Sequence, residues 1–280
     1  MSGPRLILIL GPTAVGKTDY AIDLALKLGS PVISCDSRQI YKEMTIGTAV
    51  PSPAQLALVK HYFIHSHSIF GPLYSAGKYE LEALALRDEL FKSHDSLVMV
   101  GGSGLYADAV CRGLDDFPEA DLKLRRELND RAQKEGIEVM QMELQRLDPE
   151  SYASIDVNNW KRVVRALEVT IGTGRKFSSY KSSPQGKRNF TIERKVLEMP
   201  RDELYARIDR RVDLMMDAGL LEEARALLPY RDKTALQTVG YKELFEHFDG
   251  KCSLEEAVDA IKLHTRHYAK RQISYFKRPV

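Results

Sequence analysis

The chain has 280 residues, 44% hydrophobic and 29% charged, the make-up of an ordinary globular protein with room for one large α/β domain or a core plus an insertion. No stretch approaches the ~18 consecutive apolar residues of a membrane span, and the short apolar run after Arg5 lacks the length and cleavage site of a secretion signal. Formal net charge is only +2, so the overall balance does not argue for nucleic acid, and Cys35, Cys111 and Cys252 lie too far apart for a C-x-x-C pair. They read as reduced thiols of a cytosolic protein, with neither a disulfide framework nor a cysteine zinc site.

Leu6 to Leu10 is an unbroken apolar run closed by Gly11, the pattern of a strand buried on both faces of a parallel sheet. Ala21, Leu24, Ala25 and Leu28 then recur at helical spacing over Lys17 to Leu28, and Gly29 supplies the stop. Pro31 to Cys35 reads as a second strand. A helical stretch from Glu80 to Phe91 precedes a third strand, Leu97 to Val100, ending in Gly101-Gly102. Strand and helix in alternation predict an α/β fold with a doubly wound parallel sheet.

The character changes near Phe117. Ala120 to Leu147 is charged and helical, Trp160 to Ile171 is a further helix, and Gly174 to Arg188 is a Ser/Lys/Gly-rich stretch containing Pro184, read as mobile. Ile192 to Met199 reads as a returning strand, with a long amphipathic helix from Asp202. The expected organisation is a core over 1–115, a mostly helical insertion over 116–192, and the rest of the core with a basic C-terminal helix over 193–280. On that helix Lys262, Arg266 and Lys270 recur at four-residue spacing, with Arg271, Lys277 and Arg278 beyond and no acidic residue between Lys262 and Val280. This is either a cationic edge for a polyphosphate backbone or a solvated helix face.

Gly11-Pro12-Thr13-Ala14-Val15-Gly16-Lys17-Thr18 matches G-x-x-x-x-G-K-[ST] after a strand and at the start of a helix. Backbone N–H groups turned inward, a helix N-terminus and the Lys17 charge cradle a di- or triphosphate, and the Thr18 hydroxyl suits Mg²⁺. The motif alone does not say which molecule carries the phosphates, and ATP is one candidate. ATPases place a carboxylate at the end of a second apolar strand. Here Leu97 to Val100 ends in Gly101-Gly102-Ser103-Gly104, and the acid is Asp36, after the second strand. Asp36-Ser37 also has the form of a helix cap.

Together these segments resemble the tRNA dimethylallyltransferases, a family with a P-loop NTPase-like core, in the bacterial form without a zinc finger. The resemblance rests on G-P-T-A-V-G-K-T (11–18), D-S-R-Q-I-Y (36–41), G-T-A (47–49), G-G-S-G-L-Y (101–106), R-A-L-E-V (165–169), V-G-Y-K-E (239–243) and T-R-H-Y-A-K-R-Q (265–272), nearly the whole chain in family order. It implies transfer of a dimethylallyl group from dimethylallyl diphosphate to N6 of adenosine 37 in tRNA, by a cytoplasmic monomer needing Mg²⁺ and no ATP hydrolysis. It implies that residues 11–18 hold the diphosphate and that Asp36 is the general base. An adenine N6 lone pair is delocalised into the ring, so a carboxylate taking its proton suits the chemistry.

The resemblance places Ser37, Arg38 and Gln39 on the RNA from the Asp36 loop, and Ser103 beside the allylic oxygen where most members carry threonine. It places Arg207, or Arg211 one turn on, against the leaving diphosphate. Arg125, Arg162 and Arg165 are its candidates for tRNA contact from the insertion, with Lys270, Arg271 and Gln272 from the last helix. Two departures stand out: His65 replaces the acid of an H-H-L-I-D segment, and Tyr275 replaces a tryptophan, keeping a ring able to stack on a base. His61, His65 and His67 are spaced as a metal cluster but read as ordinary histidines. A small-molecule kinase and a non-catalytic RNA-binding module are the competing readings; the first gives the basic helix no role, and the second needs neither the intact loop nor Asp36.

Overall fold

The structure, a computed structural model, describes residues 3–119, 121–181 and 188–278. Pro184 and its neighbours over 182–187 lie outside the described residues. In chain order the elements are β1 (Arg5–Leu10), α1 (Lys17–Leu28), β2 (Val32–Ser34), α2 (Pro53–Leu58), β3 (His61–Tyr62), α3 (Ala76–Leu90), β4 (Ser96–Val100) and α4 (Gly104–Cys111). Then follow α5 (Leu122–Glu135), α6 (Ile137–Leu147), α7 (Pro149–Ser154), α8 (Trp160–Thr173), β5 (Thr191–Val196), α9 (Arg201–Asp217), α10 (Leu220–Leu227), α11 (Tyr241–Phe248) and α12 (Leu254–Phe276).

The chain divides into two compact units, Met1–Arg112 with Arg188–Val280, and Gly113–Lys187. The first holds a five-stranded sheet in the order β3-β2-β4-β1-β5, every neighbouring pair parallel. Parallel strands need crossovers, and helices covering both faces make them apolar on both. Strand β1 shows this directly: Leu6, Leu8 and Leu10 belong to one buried cluster, and Ile9 to another with Ala21, Ile22 and Ala25 of α1. The two-residue β3 has too little apolar sequence to be read as a strand, and pairing with β2 alone defines it.

The second unit packs Leu128, Met140, Leu144, Val163, Val164 and Leu167 from α5, α6 and α8 into its own core. The stretch read as continuously helical to Leu147 breaks at Gly136, whose φ of 89° is the left-handed region that glycine adopts without a Cβ penalty. Glu168, 2% exposed, accepts bonds from Asp121 N, from Arg125 Nε (2.6 Å) and from Arg165 Nη1 (2.7 Å). A buried carboxylate is tolerable only when paired this fully.

Candidate active site

Strand β1 delivers the chain into a tight loop before α1. Gly11 sits at φ 148°, and a Cβ there would lie 2.7 Å from the Leu197 carbonyl oxygen, so the strand-to-loop exit admits only glycine. Gly16, the N-cap of α1, is left-handed at φ 98°. The first-turn amides of α1 have no intrahelical acceptor and carry the positive end of the helix dipole. Lys17 Nζ donates to the Pro12 carbonyl at 2.7 Å, folded over the loop. Burial lowers the Lys17 pKa to about 8, with Asp36 opposing that shift and Arg211 reinforcing it.

From α9, Arg211 donates to Thr13 Oγ1 at 3.3 Å, and burial likewise lowers its pKa. Arg207 Nη2 lies 3.9 Å from where a Cβ on Gly16 would stand. The structure therefore brings both arginines to the loop, with Arg211 the deeper and the one electrostatically tied to Lys17 and Asp36.

After β2 the chain turns at Asp36, whose Oδ1 accepts from the amides of Arg38 (2.8 Å) and Gln39 (3.3 Å). Asp36 thus pins a turn and is not the cap of a helix, since the next helix after β2 is α2. Oδ2 has no hydrogen-bond partner among the described residues, and Asp36 lines the cavity. Gly101 lets β4 close on this turn, because a Cβ there would be 2.6 Å from the backbone of Cys35.

Ser103 Oγ accepts from Ser37 N (3.0 Å) and donates to Ser37 Oγ (3.0 Å). Both serines are engaged in holding the Asp36 turn against the loop after β4. Gln39 Nε2 reaches the carbonyls of Thr48 (3.2 Å) and Ala49 (2.8 Å). Arg38 lines the cavity and makes no ion pair among the described residues.

These segments surround one cavity of about 1000 Å³ in the first unit. Its lining includes residues 13, 14 and 16–19, Asp36 to Gln39, Thr45 to Pro53, and Arg207, Arg211, Val239 and Tyr268. Apolar Ile46, Ile64, Val212 and Met215 also line it. The cavity joins a polyphosphate cradle, a carboxylate with an unused oxygen and an apolar interior, which suits transfer of an apolar group off a phosphate.

Several residues expected on RNA have other partners. Gln272, 5% exposed, accepts from Thr13 N (2.8 Å) and donates to Gly102 O (2.9 Å), so it ties the phosphate loop to the loop after β4. Tyr275 packs its ring where a Cβ on Gly104 would stand and donates its hydroxyl to Asp108, a structural use of the ring expected to stack on a base. Two residues of the basic stripe on α12 are neutralised: Lys262 pairs with Asp213 (2.6 Å) and Arg266 with Asp209 (2.6 Å). Lys270 and Arg271 remain exposed, as does Arg162 in the second unit, while Arg125 and Arg165 hold Glu168. Opposite charges one layer away in the fold are invisible to a count along one helix.

The histidines also separate: His61 bonds the Val59 carbonyl, His65 bonds Thr45 Oγ1 (3.3 Å) and His67 pairs with Glu82 (3.4 Å). No group of His, Cys, Asp and Glu suited to a metal occurs among the described residues. Sequence reasoning missed Glu223 and Tyr241, which meet at the Thr45–Gly47 turn. Tyr241 lay in a quoted motif without a role, and Glu223 looks like one of many helix-surface acids.

A family model described as IPP transferase matches residues 39–279. A tRNA dimethylallyltransferase from Flavobacterium johnsoniae is 48% identical over 279 residues, covering 98% of this chain and 90% of that one. One from Christiangramia forsetii is 49% identical over 273 residues, covering 98% and 90%. Among solved structures, the full-length tRNA isopentenylpyrophosphate transferase of Bacillus halodurans aligns with a TM-score of 0.70 at 36% identity over 99% of this chain and 88% of that one. A eukaryotic dimethylallyltransferase acting on tRNA aligns at 0.81 and 27% identity, over 99% and 70%.

Proposed function

Because this chain belongs to the IPP transferase family, we propose that it is a prenyltransferase moving a dimethylallyl group from dimethylallyl diphosphate to N6 of adenosine 37 in tRNA. The observation that carries the reading is one cavity that joins the phosphate loop to Asp36, whose Oδ2 is left without a protein partner. N6 attacks the allylic carbon, the C–O bond to diphosphate breaks, and Asp36 Oδ2 takes the N6 proton as the C–N bond forms. Negative charge grows on the departing oxygen. Lys17, Arg211, Arg207 and the amides at the start of α1 are fixed around that charge before reaction, which is why they lower the barrier.

Mg²⁺ fits this site as a substrate-borne ion. The donor set offers a hydroxyl at Thr18 and no carboxylate cage, and magnesium characteristically binds through few protein ligands plus substrate phosphates. Thr18 would hold it, and when bound it would neutralise charge on the diphosphate. Ser37 and Ser103 brace the Asp36 turn, Arg38 and Gln39 flank the acceptor base, and Arg162, Lys270 and Arg271 supply backbone contacts. No helix among the described residues is long and apolar enough to cross a membrane, and a tRNA substrate puts the reaction in the cytoplasm.

Unmodified tRNA incubated with dimethylallyl diphosphate labelled in the prenyl group, and separately with ATP labelled in the γ-phosphate, tests the reading. Prenyl label moves to RNA in a Mg²⁺-dependent reaction without ATP. Transfer of the phosphate label, or a need for ATP hydrolysis, overturns it in favour of a kinase.

A further inference from the structure

The Thr45–Gly47 turn forms part of the cavity wall, and it is built around an anion that the protein itself supplies. Glu223 of α10 accepts at Oε2 from the amides of Thr45 (3.1 Å) and Ile46 (2.8 Å). Its Oε1 accepts from the amide of Gly47 (3.0 Å) and from the Tyr241 hydroxyl (2.7 Å). Four donors converge on one carboxylate, filling the acceptor sites it has. Three successive backbone N–H groups aimed at one point form the concave nest that elsewhere binds phosphate.

Tyr241 is fully buried, and burial, then Glu223, raises its phenol pKa, so it stays a donor throughout the physiological range. Gly47 is required for this approach, since a Cβ there would lie 2.7 Å from the Tyr241 ring. The turn continues into Thr48 and Ala49, whose carbonyls hold the Gln39 amide, and the Gln39 backbone N–H is bonded to Asp36 Oδ1. A line of hydrogen bonds therefore runs from Glu223 through the 45–49 wall to the Asp36 turn. The phosphate loop is held by other side chains, Gln272 and Arg211, both at Thr13.

We infer that Glu223, supported by Tyr241, is a positioning residue that fixes the acceptor side of the cavity and leaves the diphosphate side alone. The inference rests on reading the Asp36 loop as the one that receives the adenosine.

Steady-state kinetics of Glu223→Gln, with tRNA and dimethylallyl diphosphate varied separately, test it. Glutamine keeps the length of the side chain, but its NH₂ faces donors that glutamate accepted. The expected result is a KM for tRNA raised about tenfold or more, with the KM for dimethylallyl diphosphate within twofold of wild type. Tyr241→Phe, which removes one of the four donors, shifts the tRNA KM the same way by less. Equal rises in both KM values, or a lowered Tm with neither KM changed, overturn the proposal. If Glu223→Gln does not fold, Tyr241→Phe decides: an unchanged tRNA KM there overturns it. Asp36→Asn keeps the two readings apart. Undiminished turnover in that variant would remove the base but not the split in KM, and a lost split with an inactive Asp36→Asn would remove only Glu223.

Discussion

Two backbone cradles line the same cavity, at Thr13–Thr18 and at Thr45–Gly47, and they use the same physics in opposite ways. The amides of Thr45–Gly47 converge where an anion is favoured, and the phosphate loop ends in the first-turn amides of α1, which have no intrahelical acceptor. At Thr45–Gly47 the anion is Glu223, part of the chain, so the cradle is satisfied within the fold and becomes a fixed wall. At the phosphate loop the nearby side chains are cations: Lys17, buried and lowered toward neutrality, with Arg207 and Arg211 beside it. Among the described residues Lys17 and Arg211 feel Asp36, but none of these cations forms an ion pair with a carboxylate, so a ligand's negative charge can match them. The sign of the residue facing a cradle therefore decides whether it serves architecture or substrate, and Asp36 stands between the two.

Removing the acid between the cradles has the largest expected effect. Asp36→Asn cuts turnover by roughly 10²-fold or more, the scale of losing a general base, while tRNA binding measured by filter retention stays within a few-fold. Near-normal kcat at saturating substrates would leave Asp36 only the role of pinning its turn. Next comes the open cradle. Lys17→Ala raises the KM for dimethylallyl diphosphate and slows chemistry by about 10²-fold, because Lys17 meets charge that grows in the transition state. A change confined to the KM for tRNA would show the two cradles to be misassigned.

The pH dependence sharpens the contrast. Lys17 loses its proton as pH rises through about 8 in the free enzyme, whereas a bound diphosphate favours the charged form. Binding above that pH takes up a proton, so the KM for dimethylallyl diphosphate rises about tenfold between pH 7 and pH 9. Lys17→Ala flattens this rise, and a wild-type profile that is already flat would refute the coupling. The smallest effect concerns α12. Each phosphate contact lowers log K against log salt by about 0.7 to 0.9, so neutralising Lys270 and Arg271 together flattens the slope for tRNA by about one to two. Neutralising Lys262 and Arg266 leaves it unchanged, since Asp213 and Asp209 already balance them.

Sequence by itself determined the elements whose cause is local. The apolar run Leu6–Leu10, the glycines at 11 and 16, and Lys17 at the start of a helix can form little else, because sterics and the helix dipole act within a few residues. Asp36 was legible as a chemically placed acid, although only the tertiary structure showed that one of its oxygens pins the turn while the other stays without a protein partner. What the fold alone decided were pairings between residues far apart in the chain. Gln272 reaches Thr13 and Gly102, Glu223 reaches Thr45–Gly47, and two aspartates of α9 meet Lys262 and Arg266 of α12. A carboxylate on an amphipathic helix has the same sequence signature whether it faces water or three amides. Hydrogen bonds and ion pairs act over a few ångströms of space, and only folding brings those partners within range.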